Sequence, residues 1–391
     1  MNLPKAHIFW IACISFIAIG IQGSALNVAW LYMQASFGKS LDAIGVVLLA
    51  GTVGGLVLSF LSGHILRFMS VGWVCLIATC LEVAALVIIS LTPHWTVFVV
   101  AALILGLGRS GINVAMNTFV AERYSAGRMN LLHAIFGIGA TAGPLLVTFI
   151  VVNLAANWRT AYLVIAVIQI FVAALFVLTL KGWSLDEKEA DGTKQKERAT
   201  YLATLQLLPM WAGLALLSCH VGFQMSVGQL SNNLLVESRG VDAGLAGLWI
   251  SLFWGFLTLG RMLFAALTDK FGAARILRYC SLGSILGVIA LWLNLGNAFS
   301  FAGLALVGLT LAPVFPSAVS RTPALVGKAH SPNAIGFQMT GAGLGGALIP
   351  GLTAYLADKT TLEAIPPALV VIAVLQFGLH EWLSFLEGKE A

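Results

Sequence analysis

Arg109, Asn113 and Asn117 recur every fourth residue within the otherwise apolar stretch 103–120, a spacing that puts all three on one face of a helix. A guanidinium offers fixed donors and a permanent charge. Each carboxamide offers two donors and an acceptor and does not ionise near neutral pH. Such a stripe is costly in hydrocarbon, so it is expected to face protein or water and to carry the function. Glu82 is the only carboxylate near the middle of any long apolar segment. Its depth matches that of Arg109, and the two lie on consecutive segments joined by a short loop, which makes them candidate ion-pair partners. Hydrogen bonding of Glu82 to another helix is the alternative. His220 shares a helical face with Gln224 and Ser231, and His133 shares one with Asn130, Gly137 and Thr141. Imidazoles titrate near neutral pH, so both are candidate proton or ligand groups. His133, close to the inner end of its segment, also suits a gating or structural role.

The elements that must position these residues are set by composition. The 391-residue chain is 59% hydrophobic and 9% charged, with a mean hydropathy of +0.94, far from a soluble domain with about a quarter of its residues charged. It belongs in a lipid bilayer. The net charge of +5 is spread over short loops without interleaved aromatics, which excludes nucleic acid as a partner. The five cysteines lie in or beside apolar runs without zinc or disulfide spacing, and nothing has the pattern of a phosphate-binding loop or metal constellation. No cofactor and no enzymatic activity are expected.

A spanning helix needs about 20 apolar residues, and twelve such segments are expected at 8–34, 42–63, 72–91, 96–119, 130–154, 161–181, 205–230, 243–267, 276–295, 300–320, 333–357 and 366–386. The first is too long for a secretory h-region and is expected to be a retained helix. Acidic and basic residues crowd 183–200, a run that reads as a solvated linker. The expected organisation is therefore all-α: an amino-terminal six-helix bundle at 1–181, a charged cytoplasmic linker at 182–204 and a carboxy-terminal bundle at 205–391. With both termini inside, the outer loops carry only Lys39, Arg159, Arg239 and Lys359, the bias expected of an inner-membrane, multi-pass protein.

The loop Ala265-Ala266-Leu267-Thr268-Asp269-Lys270-Phe271-Gly272 resembles the Gly-x-Leu-x-Asp-Arg/Lys-x-Gly motif of the major facilitator superfamily, with Ala265 replacing the first glycine. The equivalent first-half loop, from Gly63 to Ser70, lacks the acidic residue. Gly106-Leu107-Gly108 with Asn113 to Val120, Asn130 to His133 with Phe136 to Ala140 and Gly143-Pro144, and Val221 to Gln224 with Gly228, Leu252 to Gly255 and Gly260-Arg261 are similar to the fourth, fifth, seventh and eighth helices of the fucose/galactose/glucose-type sugar:cation symporters. The resemblance implies two pseudo-symmetric six-helix bundles around a cavity that opens alternately to either side. It also implies that Asp269, Arg261 and Gly272 serve the inner gate or brace it.

Members of that group driven by protons or sodium place a carboxylate in the first, fourth or seventh helix, where this chain has Asn27, Asn113 and Gln224. Recognition of hydroxyls is retained while the usual coupling group is missing, which leaves Glu82, Arg109 and His133 as coupling candidates. Trp30 offers a flat face to a sugar ring, and Trp249, Trp254 and Gln338 suit the same cavity. The candidate solute-binding set is Asn27, Trp30, Asn113, Asn117, His220, Gln224, Trp254 and Gln338. Glycines 137, 139 and 143 with Pro144, and Gly336 to Gly346 with Pro350, permit close packing and bending. Gly139 and Gly143-Pro144 also resemble part of the drug-exporter antiporter motif, whose final glycine pair is replaced by Leu146 and Val147. The expected function is transport of a small polar solute, a sugar, alone or with H+ or Na+, by a monomer. Proton-coupled efflux of amphipathic compounds and a non-transporting sensor or lipid-handling role are the alternatives.

Overall fold

The structure, a computed structural model, describes residues 5–124, 126–183, 199–327 and 329–390. Long helices dominate: α1 (Lys5–Phe37), α2 (Ala43–Phe68), α3 (Val71–Leu91), α4 (Trp95–Arg123), α5 (Ala126–Thr148) and α6 (Trp158–Thr179) in the first half. After the short α7 (Tyr201–Leu205) come α8 (Leu208–Asn233), α9 (Ala243–Phe271), α10 (Ala273–Leu293), α11 (Asn297–Leu311), α12 (Val314–Val326), α13 (Ser331–Lys359) and α14 (Ile365–Glu390). In a bilayer this is the economical solution, because every backbone polar group inside a helix is satisfied within its own segment.

Eleven of the described helical segments are long and apolar enough to cross a membrane, counting α11 and α12 as one. The helix α13 is not among them. It has the length, 29 residues, but its glycines and polar residues dilute its hydropathy. The tenth expected span divides at Ala312-Pro313, between α11 and α12, as expected where proline removes a backbone donor. The large side chains turned outward, such as Val167, Ile170, Phe171 and Leu178 on α6, are apolar. A face of this kind is stable against lipid and would aggregate in water.

The chain divides into two compact units, residues 1–189 with 243–251, and residues 190–242 with 252–391. In the first, α1 packs on α5 and α6, α2 on α4, and α3 on α4 and α6. In the second, α8 packs on α13 and α14, and α10 on α11 and α14. The pairings correspond: α1/α5 with α8/α13, α3/α4 with α10/α11, and α3/α6 with α10/α14. Glycine sets the distance at both central pairs. A Cβ at Gly139 would strike the Ile17 carbonyl of α1, and one at Gly345 would strike the Ser218 carbonyl of α8. Helix backbones meet there, the close approach that small residues allow in membranes.

Trp183 departs from the expected solvated linker. It is fully buried at the end of a 3-10 turn (Leu180–Trp183), against Gly72, Phe119 and Phe176, and its Nε1 donates to Thr179 Oγ1 at 2.9 Å. An indole with a satisfied N–H packs better than it hydrates. The acidic and basic residues of 184–198 lie outside the described residues.

Polar clasps hold the helix ends. Arg159 donates to the Ile89, Ser90 and Thr92 carbonyls that close α3 and stacks on Trp158. Arg239 meets Glu363 through Nε at 2.9 Å and Nη2 at 2.7 Å, while its Nη1 donates to Ser300 at 2.8 Å. At the other end of α10, Arg278 makes a two-point contact with Glu381, and Arg321 donates to His380, whose Nε2 reaches the Ala274 carbonyl at 3.1 Å.

Candidate functional site: a polar face in each unit

In the first unit, the stripe on α4 is open to its surroundings. Arg109 and Asn113 are exposed and Asn117 is partly so. The Asn117 amide donates to Asn113 Oδ1, so the two side chains form one unit whose remaining donors and Asn117 Oδ1 face outward from the pair. Arg109 Nη1 lies 3.5 Å from where a side chain at Gly23 of α1 would begin. Asn27 and Trp30, on the same helix, are buried, and both amide atoms of Asn27 and the indole Nε1 of Trp30 have no hydrogen-bond partner among the described residues. Trp30 packs beside Trp95 with ring centroids 6.3 Å apart and presents no open face. His133 is exposed and stands edge-on to Phe16 at 5.7 Å; the Asn130 side chain lies outside the described ones.

Glu82 sits behind this face, fully buried. Its Oε2 accepts from Gln169 Nε2 of α6 at 2.7 Å. Arg109 is within electrostatic reach, but no direct ion pair joins the two among the described residues. Of the two partners open to Glu82 from the sequence, the structure gives the helix-to-helix hydrogen bond. Backbone packing explains the placement, since Glu82 Cγ fills the space in which a side chain at Gly108 would stand.

In the second unit, His220 is buried with its Nδ1 unpartnered. The Phe315 ring lies 6.3 Å away, Gln376 of α14 stands beside the imidazole, and Arg261 of α9 is within electrostatic reach. Gln224 follows one turn along. Beyond it α8 carries four buried polar residues, Gln229, Ser231, Asn232 and Asn233, each with a side-chain oxygen that has no partner among the described residues. Of these the sequence points to Ser231 alone: Asn232 and Asn233 lie past Leu230, where the seventh span is expected to end, and Gln229 is a single amide just before it. The helix instead runs on into a π-helical turn, Leu234–Ser238, and the signal available is the spacing of 229, 232 and 233, which puts three amides on one face.

Gln338 is held differently. Its Oε1 accepts from Thr322 at 3.0 Å, joining α13 to α12. Trp254 is buried, with an unpartnered Nε1. Gly272 has φ 83° and ψ 145°, a conformation that suits glycine at the tight corner between α9 and α10. The side chain of Asp269 lies outside the described ones.

Buried polar groups are normally satisfied, so clustered exceptions ask for an explanation. Among the described residues the largest groups of them fall on α1 and α8, helices that hold corresponding places in the two units. The sequence matches the family model of the Major Facilitator Superfamily at residues 9–230 and again at 212–388. The chain belongs to that superfamily. It is a multi-pass membrane transporter of the major facilitator fold. Among characterised relatives, the glucose/mannose transporter GlcP of Bacillus subtilis is 22% identical over 377 residues, covering 93% of this chain and 91% of the relative. The fold matches the nucleoside transporter NupG with a TM-score of 0.77 at 14% identity, covering 96% of this chain and 98% of that one. It also matches a bacterial homologue of the human lysosomal transporter Spinster, in an inward-facing and unoccupied conformation, with a TM-score of 0.78 at 12% identity, covering 98% and 96%.

Proposed function

We propose that this superfamily member transports a small hydroxylated solute, a hexose-type sugar, across the inner membrane by alternating access, with both termini in the cytoplasm. The observation that carries the reading is the set of carboxamides with unused hydrogen-bonding capacity: Asn27, Asn117, Gln229, Asn232 and Asn233. Sugar hydroxyls both donate and accept, and carboxamides match them without bringing a net charge into an apolar protein. The likeness to a glucose/mannose transporter supports the same class. Asn113, His220, Gln224, Gln376 and Trp254 complete the proposed set, while Trp30, buried against Trp95, and Gln338, already bonded to Thr322, serve helix packing. Arg261, Asp269 and Gly272 are proposed for the inner gate, and His133 for a place beside it.

The test is uptake of radiolabelled D-glucose and D-mannose by proteoliposomes, with amphipathic cations such as ethidium as the contrasting substrate. Saturable hexose uptake, competed by other hexoses, is expected. Transport of ethidium without hexose uptake would replace the sugar reading with the exporter one.

A further inference from the structure

Glu82 is fully buried on α3, facing α4 and α6. Its Oε2 has one donor, the Gln169 amide at 2.7 Å. Its Oε1 has no partner among the described residues, and Gln169 Oε1, equally buried, has none either. A carboxylate in this place would carry a full charge against one neutral hydrogen-bond donor, with its second oxygen left without a donor among the described residues. Burying charge so poorly compensated is costly. A carboxylic acid removes both difficulties. Its hydroxyl is a donor, and given to Gln169 Oε1, which has none, it would close a two-bond ring of acid and amide. Among the described side chains, the other titratable groups on the packing helices stand elsewhere: Arg159 is engaged at the end of α3, Tyr162 lies two turns from Gln169, and Arg123 lies four turns from Arg109. Among these groups Arg109 is within electrostatic reach of Glu82, and it is exposed.

We propose that Glu82 and Gln169 form the proton-binding site of this transporter, loaded as a neutral acid–amide pair, with Arg109 compensating the carboxylate once the proton has left. In unloading, the O–H bond of Glu82 breaks, the proton passes to water at the exposed Arg109, and the electron pair stays on the carboxylate, which turns from Gln169 toward the guanidinium. The site lies outside the three helix positions, now Asn27, Asn113 and Gln224, where the resemblance leads one to expect a coupling carboxylate. This inference rests on the transport reading for its coupling consequence but not for its chemistry.

Infrared difference spectra of the purified full-length protein in lipid, between acid and alkaline buffer and without solute, test the chemistry. A protonated-carboxyl C=O band is expected in the wild type. It should be lost in Glu82→Gln, and it should move to higher frequency in Gln169→Leu, which removes the ring partner. In proteoliposomes with an imposed pH gradient, the wild type should accumulate D-glucose above equilibrium, whereas Glu82→Gln should only equilibrate it. A band that survives in Glu82→Gln, or that ignores Gln169→Leu, overturns the acid–amide pair. Gradient-driven accumulation retained by Glu82→Gln overturns the coupling role. Absence of glucose movement in the wild type removes the sugar reading alone, because the spectra still decide the proton site.

Discussion

Replacing Glu363 with Ala should destabilise the second unit more than replacing Arg239 with Met, although each change removes three hydrogen bonds. Glu363 accepts from Ser238 and from Arg239 Nε and Nη2; Arg239 loses those two bonds and the one to Ser300. Bond counting therefore predicts a tie, and burial breaks it. The Arg239 side chain is 3% exposed and that of Glu363 is 38% exposed. Removal of the acid strands a guanidinium away from water, at a cost of about 3 kcal/mol. Removal of the base leaves a carboxylate that water can reach, and Met preserves the packing of the stem, so the loss should be about 1 kcal/mol. Equilibrium unfolding of the purified protein, followed by tryptophan fluorescence, measures both, and the double variant supplies the coupling. The difference, about 2 kcal/mol, corresponds to more than tenfold in the unfolding equilibrium. Equal effects, or a larger one for Arg239→Met, would refute the reasoning that solvent access at one partner sets the asymmetry.

Gly345→Leu should abolish monodisperse expression because the Ser218 backbone stands where the side chain would go, whereas Gly336→Leu, with open space around it, should leave the elution profile unchanged. Trp183→Ala should cost about 3–5 kcal/mol by emptying a fully buried pocket, readable as a lowered melting temperature of the intact chain. Asn113→Ala and Asn117→Ala should each lower hexose uptake by about tenfold through a lost hydrogen bond while leaving the melting temperature within error. Ala155 holds φ at 50°, a left-handed conformation that costs a non-glycine residue about 1 kcal/mol. Ala155→Gly should therefore raise stability or leave it unchanged, and Gly240→Ala, at φ 63°, should lower it.

Hydrophobicity alone makes most of the helices legible, because a bilayer tolerates little else. It fails where helices are polar for a reason. The end of α8 is hidden beyond Leu230, since Asn232 and Asn233 look like loop residues when packing is unknown. Trp183 looks solvated because its neighbours in sequence are charged, whereas its neighbours in space are Phe119 and Phe176. The α4 stripe is readable from period alone, and Arg109 and Asn113 are indeed exposed on it. The partner of Glu82 is not readable: adjacency along the chain suggests α4, but α3 also packs on α6, and a lone Gln169 in an apolar helix announces nothing until that contact is known.

The π-helical turns that follow α5 (Phe149–Asn153) and α8 (Leu234–Ser238) share one backbone pattern. Phe149 and Leu234 accept from the fifth residue onward, Ile150 and Leu235 from the sixth, and each turn closes on a positive-φ residue, Ala155 or Gly240. A turn of this kind holds one residue more than the α-helical turn it replaces. When relatives that lack it are aligned with this chain, the correct alignment should therefore open a one-residue gap at 149–153 and at 234–238. An ungapped alignment through α8 would put every residue past the turn out of step with its structural equivalent, and would assign Glu237 and Arg239 to the wrong neighbours.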